Sequence, residues 1–88
     1  MIIEFDKVKN QRNVDERGLP FSMVSHVEWD TALVTVDDRF NYGETRYIAL
    51  GLISNRLYVI VFTETPTGIR VISFRKANKR EVKRYEVK

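Results

Sequence analysis

Residues 69–86 read IRVISFRKANKREVKRYE, and they change character halfway. Ile69, Val71 and Ile72 are β-branched and follow Gly68, so the stretch begins as a strand, predicted over Ile69–Phe74. Beyond it the spacing turns helical. Phe74, Ala77, Asn78, Glu81, Val82 and Tyr85 fall on one face at i, i+3, i+4 intervals. Lys76, Lys79, Arg80, Lys83 and Arg84 fall on the other. A strand thus delivers Arg75 to the start of a helix with an unbroken basic stripe. Such a stripe suits a polyphosphate partner; read plainly, it is a solvated helix face.

The charge is local. Seven basic and two acidic residues stand between Arg75 and Lys88, a net +5, whereas the whole chain is +3. Residues 1–74 therefore carry a net −2. A concentrated basic field attracts nucleic acid or an acidic protein segment and is silent about fold.

Eighty-eight residues are expected to form a single domain, residues 1–88, with a modest core. At 43% apolar and 11% aromatic residues, wholesale disorder is not expected. Cysteine is absent, which removes disulfides and thiolate chemistry and fits a cytoplasmic protein. The N-terminal MIIEFDKVKN carries Glu4 and Asp6 and does not read as a leader. No apolar run approaches the ~18 residues of a membrane span.

In chain order, Met1–Phe5 reads as a strand. Asp6 can cap a helix over Lys7–Arg17 that ends at Gly18, with Val8 and Val14 as its main apolar residues. A second helix is expected over Phe21–Trp29, with Phe21, Val24 and Val27 inward. Strands follow at Thr31–Val36, Arg46–Ile53, Arg56–Glu64 and Ile69–Phe74. LYVIVF in the third of these is apolar on both faces and belongs at the centre of the sheet. The expected fold is α+β: a four- or five-stranded, mainly antiparallel sheet with two N-terminal helices and a basic C-terminal helix. Between strands, Phe40 and Tyr42 pack on the sheet edge or serve a partner as a docking point.

Few residues carry chemistry. One histidine and no cysteine cannot supply a nitrogen–sulfur metal site, and no metal or other cofactor is expected. Asp37–Asp38 can hold Mg²⁺ through water, or simply make a turn. His26 reads as a structural side chain within the second helix. Glu44 and Arg46 share a strand face, as an ion pair or as a carboxylate beside a phosphate-binding guanidinium. Tyr85 is a packing anchor or a base-stacking ring.

DKVKNQRNVDERGLPF, GETRYIALG, RLYVIVFTE and IRVISFRKANKREVKRYE together resemble the BrnT family of bacterial toxins, in order and spacing, over nearly the full chain. Asn13, Gly18, Glu44, Arg46, Arg70, Ser73, Arg75, Lys76, Arg80 and Glu81 stand at matching positions. The resemblance implies a compact relative of the RelE-like ribonuclease fold and growth inhibition through RNA cleavage. It also implies neutralisation by a cognate antitoxin with a DNA-binding domain, the pair repressing its own operator DNA. One departure stands out: the family usually has Lys-His-Gly where this chain has Glu16, Arg17 and Gly18. Pro20 also replaces a common serine.

For metal-free cleavage the RNA 2′-hydroxyl attacks the neighbouring phosphate, and arginine forks suit the charge that develops. Arg46 and Arg75 are the expected electrostatic catalysts, with Glu44 or Glu81 carrying the proton. Lys76, Lys79, Arg80, Lys83, Arg84 and Arg17 are expected to hold RNA. The rival readings are a binding module without catalysis, fed by the missing histidine, and a pure interaction protein whose stripe meets an acidic antitoxin segment.

Overall fold

Strand β4 (Arg56–Thr65) runs through the middle of a five-stranded sheet, flanked by β3 (Arg46–Ile53) and β5 (Gly68–Lys76). The computed structural model describes residues 1–87. β2 (Leu33–Asp37) lies outside β3, and β1 (Ile2–Phe5) lies outside β5. Neighbours from β2 to β5 are antiparallel; β1 joins β5 in parallel, Ile3 opposite Ile69 and Phe5 opposite Val71. Ser54 and Asn55 take the left-handed backbone that a two-residue hairpin between β3 and β4 demands.

Successive side chains on β4 enter two different cores, because a strand alternates its faces. Ile60 and Phe62 join Phe21, Val24, Val27, Ala49, Val71 and Phe74 on one face. Leu57 and Val59 join Leu50 on the other, beneath Ala77 and Tyr85. Val59 and Ile60 are both buried, as an apolar run on both faces implies. Full burial of each such side chain is worth about 1.5–3 kcal/mol.

Helix α1 (Lys7–Arg17) has the bounds that its caps dictate. The Asp6 carboxylate accepts the N–H groups of Val8 and Lys9, which hold its pKa below the ordinary value. Gly18, at φ 69°, closes the last turn on the Val14 carbonyl. Its attachment differs from the expectation. Val8 is 68% exposed, and the buried residue is Asn13. Asn13 Nδ2 donates to the carbonyls of Leu19 (2.8 Å) and Phe74 (3.0 Å), and Asn10 Oδ1 accepts the Phe21 N–H. Amides fasten this mostly polar helix, and Val8 takes no part.

The second α-helix is absent. Phe21–His26 forms a 3₁₀ helix and Trp29–Thr31 a further 3₁₀ turn, with Val27 extended between them. Pro20 offers no side-chain cap, and Ser25 Oγ donates to the Ser22 carbonyl, a local bond that competes with regular helix. Phe21, Val24 and Val27 nonetheless point inward. His26, on the last 3₁₀ residue, is exposed. β2 accordingly begins at Leu33 and not at Thr31.

At the C-terminal end the strand continues past Phe74 to Lys76, and helix α2 spans Lys79–Glu86. Asn78 and Glu81 form a reciprocal capping box, which fixes the start of the helix after Asn78. Arg75 and Lys76 are therefore strand residues, and the basic stripe is broken between Lys76 and Lys79. Phe74 packs in the main core from β5; of the expected helical face, Ala77 and Tyr85 pack against the second core. Glu44 lies in the loop before β3 and does not open the strand.

Candidate nucleic-acid interface

Arg75 leaves β5 beside the first turn of α2. Its Nη1 and Nη2 each donate to a Glu81 carboxylate oxygen at 2.8 Å, and Nη1 also reaches the Lys76 carbonyl. Glu81 Oε1 additionally accepts the Asn78 N–H. The fork raises the Arg75 pKa against its partial burial and the like charge of Arg39. It lowers the Glu81 pKa, with the Asn78 N–H assisting and burial opposing. Glu81 is consequently a poor proton acceptor near neutrality. The bonds to Glu81 and Lys76 take both N–H groups of Nη1 and one of Nη2, which leaves the Nε N–H and the second Nη2 N–H as the edge that can meet phosphate.

Ladder register settles which side chains share that face. Leu50, Val59 and Arg75 stand opposite one another on β3, β4 and β5. Arg46 is four residues from Leu50 and so on the same face, and Asp37 stands opposite Arg46. The Asp37 side chain is 1% exposed. Its carboxylate accepts from Arg39 Nε (2.7 Å), Arg39 Nη2 (2.8 Å) and the Tyr42 hydroxyl (3.1 Å). Those bonds, Arg39 foremost, hold its pKa far below the ordinary carboxylate value. Both oxygens are committed, so the Asp37–Asp38 pair makes a turn. The Arg46 guanidinium lies 4.0 Å over the Tyr42 ring, and Glu44 bonds it singly at 3.3 Å.

Arg46 and Arg75 share a face but stand apart on it. Four residues of strand and two strand spacings put their Cα atoms roughly 17 Å apart. Position 17 is the true neighbour: Arg17, Leu19, Arg75 and Lys76 line one concavity of about 330 Å³. Arg17 Nη1 donates to Asn13 Oδ1 at 2.7 Å. An adjoining cavity of about 200 Å³ adds Lys9, Arg12, Glu16 and Ser73 to Asn13 and Arg17. Lys79, Arg80, Lys83 and Arg84 are exposed along α2, and Lys76 is exposed at the end of β5.

Reading the sequence missed Arg39, Lys9 and Arg12. Only Arg39 left a local signal, an arginine two residues beyond a strand-ending aspartate. No group of three or more histidine, cysteine, aspartate or glutamate side chains stands together among the described residues. No helix there is long and apolar enough to cross a membrane.

This small α+β fold gathers arginine and lysine about one end of its sheet, a concentrated basic surface. The chain belongs to the BrnT family: the model of the ribonuclease toxin BrnT, of type II toxin–antitoxin systems, matches residues 5–81. The match includes Arg75 and ends at Glu81. No curated protein and no solved structure matches the chain.

Proposed function

We propose that the protein is the toxin of a type II pair, cleaving RNA in the cytoplasm without a metal ion. Its sheet is then a compact RelE-like ribonuclease fold. A cognate antitoxin with a DNA-binding domain neutralises it, and the complex sits on operator DNA. The carrying observation is the family match over residues 5–81, which includes the concavity where position 17 meets Arg75.

In this reading the RNA backbone crosses the end of β5. The 2′-hydroxyl attacks phosphorus, loses its proton and expels the 5′-oxygen, which takes one up. The Nε–Nη2 edge of Arg75 faces the charge that develops on the phosphate oxygens. One such donor is worth about 2.7–4 kcal/mol in other enzymes. Glu81 holds Arg75 in register and is the nearest carboxylate, though a weak base. Lys76 and Arg17 add positive charge at the same place. Lys79, Arg80, Lys83 and Arg84 hold the strand from α2. Arg46, paired with Glu44, meets it farther along the face.

A second reading rests on Arg17. A guanidinium stays protonated and moves no proton at neutral pH, whereas the family's usual histidine can. The protein is then a weak or inactive RNA- and partner-binding component of the repressor complex.

Purified, antitoxin-free protein incubated with RNA in EDTA separates the two. Ribonuclease action leaves fragments with 2′,3′-cyclic phosphate ends, and expression depresses growth until antitoxin is co-expressed. RNA bound but intact selects the second reading.

A further inference from the structure

The loop between β2 and β3 carries an arrangement that the cleavage chemistry does not use. Phe40 is 70% exposed. Its ring meets Tyr42 edge-on, centroids 5.8 Å apart, and Tyr42 is itself held on two sides. The Tyr42 hydroxyl bonds Asp37, and the Arg46 guanidinium covers the Tyr42 ring at 4.0 Å. Asp37, buried at the end of β2, also holds Arg39 by the Nε–Nη2 edge. The rest of that guanidinium turns to solvent, the side chain being 63% exposed. One buried carboxylate thus holds Arg39 and Tyr42, and Tyr42 in turn carries Arg46 on its face and Phe40 at its edge.

Those arginines stand on the face that also carries Arg75. Ile48, Val61 and Ser73, opposite one another on β3, β4 and β5 and half-buried, floor the space between. The like charge of Arg39 is felt at Arg75. In sequence the neighbours of Phe40, Asp38, Arg39 and Asn41, are polar and exposed, and the ring it meets is that of Tyr42.

We infer that this loop is a single-strand clamp: Phe40 stacks on an unpaired RNA base while Arg39 and Arg46 hold flanking phosphates, a fixed distance from the concavity at Arg75. The clamp rests on the reading of the protein as an RNA-directed toxin. An aromatic face accepts any base, and adjacent arginines track the backbone, which is how sequence-tolerant single-strand binders work. Pairing would hide the base, so the clamp selects unpaired segments. Arg46 already covers Tyr42, which leaves Phe40 as the ring with an open face.

The test uses the full chain and a 12-nucleotide single-stranded RNA, 2′-O-methylated throughout so that it cannot be cut, with its duplex as control. Phe40→Ala is expected to weaken single-strand binding about five- to a hundredfold, the range of one base stack. Duplex binding and the salt slope stay unchanged. Phe40→Trp restores affinity, and its added fluorescence is quenched on binding. Arg39→Ala lowers the salt slope by roughly 0.7, the value for one phosphate. Equal single-strand affinity of Phe40→Ala and the parent overturns the clamp. So does loss of antitoxin binding in Phe40→Ala with RNA binding intact, which would make the loop a protein docking point. Unmodified RNA is assayed in parallel: a parent that cuts RNA while Phe40→Ala binds normally loses only the clamp, and a parent that neither binds nor cuts loses the ribonuclease reading as well.

Discussion

The Arg75 guanidinium and the Glu81 carboxylate meet through two parallel hydrogen bonds of 2.8 Å, joining the last strand to the last helix. An eight-residue helix is marginal by itself. This fork, the capping box and the Tyr85 hydroxyl on the Thr31 carbonyl keep α2 on the sheet. Glu81→Gln retains an acceptor for the Asn78 N–H and removes the ion pair, so its cost should stay below about 1 kcal/mol. Glu81→Ala loses both and should cost about 1–2 kcal/mol. Chemical denaturation reads the difference. Because the folded Glu81 pKa is lowered, its contribution is complete above the ordinary value of 4.5 and fades as pH falls through the folded value. The gap between the parent and Glu81→Gln should therefore be constant from pH 7 to about pH 5 and close in stronger acid.

Holding RNA and cutting it should separate by residue. Alanine at Lys79, Arg80, Lys83 or Arg84 is expected to lower RNA affinity and reduce the salt slope by roughly 0.7 for each phosphate no longer neutralised. Cleavage of bound RNA should change little. Arg75→Ala should leave affinity within a few-fold and slow single-turnover cleavage about a hundredfold or more. Affinity falling in step with rate would reduce Arg75 to one more binding charge.

Position 17 should control rate. Arg17→His puts a group that titrates near neutrality beside Arg75, and general acid–base catalysis is worth about a hundredfold or more where it operates. Single-turnover cleavage is expected to rise at least about tenfold, with a pH profile that bends near 6–7. A flat profile and an unchanged rate would leave position 17 a structural one.

Asn13→Ala should be among the most damaging polar substitutions. It strips the buried carbonyls of Leu19 and Phe74 of their donor and releases Arg17. The expected loss is about 2–3 kcal/mol, seen as a lower denaturation midpoint.

Gly68→Ala should be as costly for a steric reason. A Cβ there would overlap the backbone of Ile2, directly across the parallel ladder. A loss of about 1–3 kcal/mol is expected. Hydrogen exchange should show β1 opening before the rest of the sheet.

What could be read in advance was what depends on near neighbours. Asp6 and Gly18 bound α1 because each acts within one turn. β4 announced its central place because both of its faces are apolar. Asn78 and Glu81, three residues apart, spell a capping box, yet the helical spacing of Phe74 and Ala77 drew the expected helix back over Arg75 and Lys76. The role of Asn13 was out of reach, since its acceptor Phe74 lies at the far end of the chain. The same holds at the site. The charge at Arg75 and along α2 was plain, whereas the nearness of Arg17 to Arg75, and the distance of Arg46 from it, arise only from strand order. Arg39 gains its place only through the burial of Asp37, which no local pattern announces.

The parallel pairing of β1 with β5 sets a timetable. Ile3 has no strand beside it until Ile69 exists, so β1 must wait for a partner far along the chain. Closing so long a loop is slow. Arg75 and α2 follow immediately after Ile69, so the edge that completes the sheet and the charges that would meet RNA leave the ribosome almost together. A growing chain thus remains without its assembled basic surface until Ile69 and the residues after it have been made. On the proposed reading, an antitoxin present at that moment would meet a toxin whose basic surface has only just assembled.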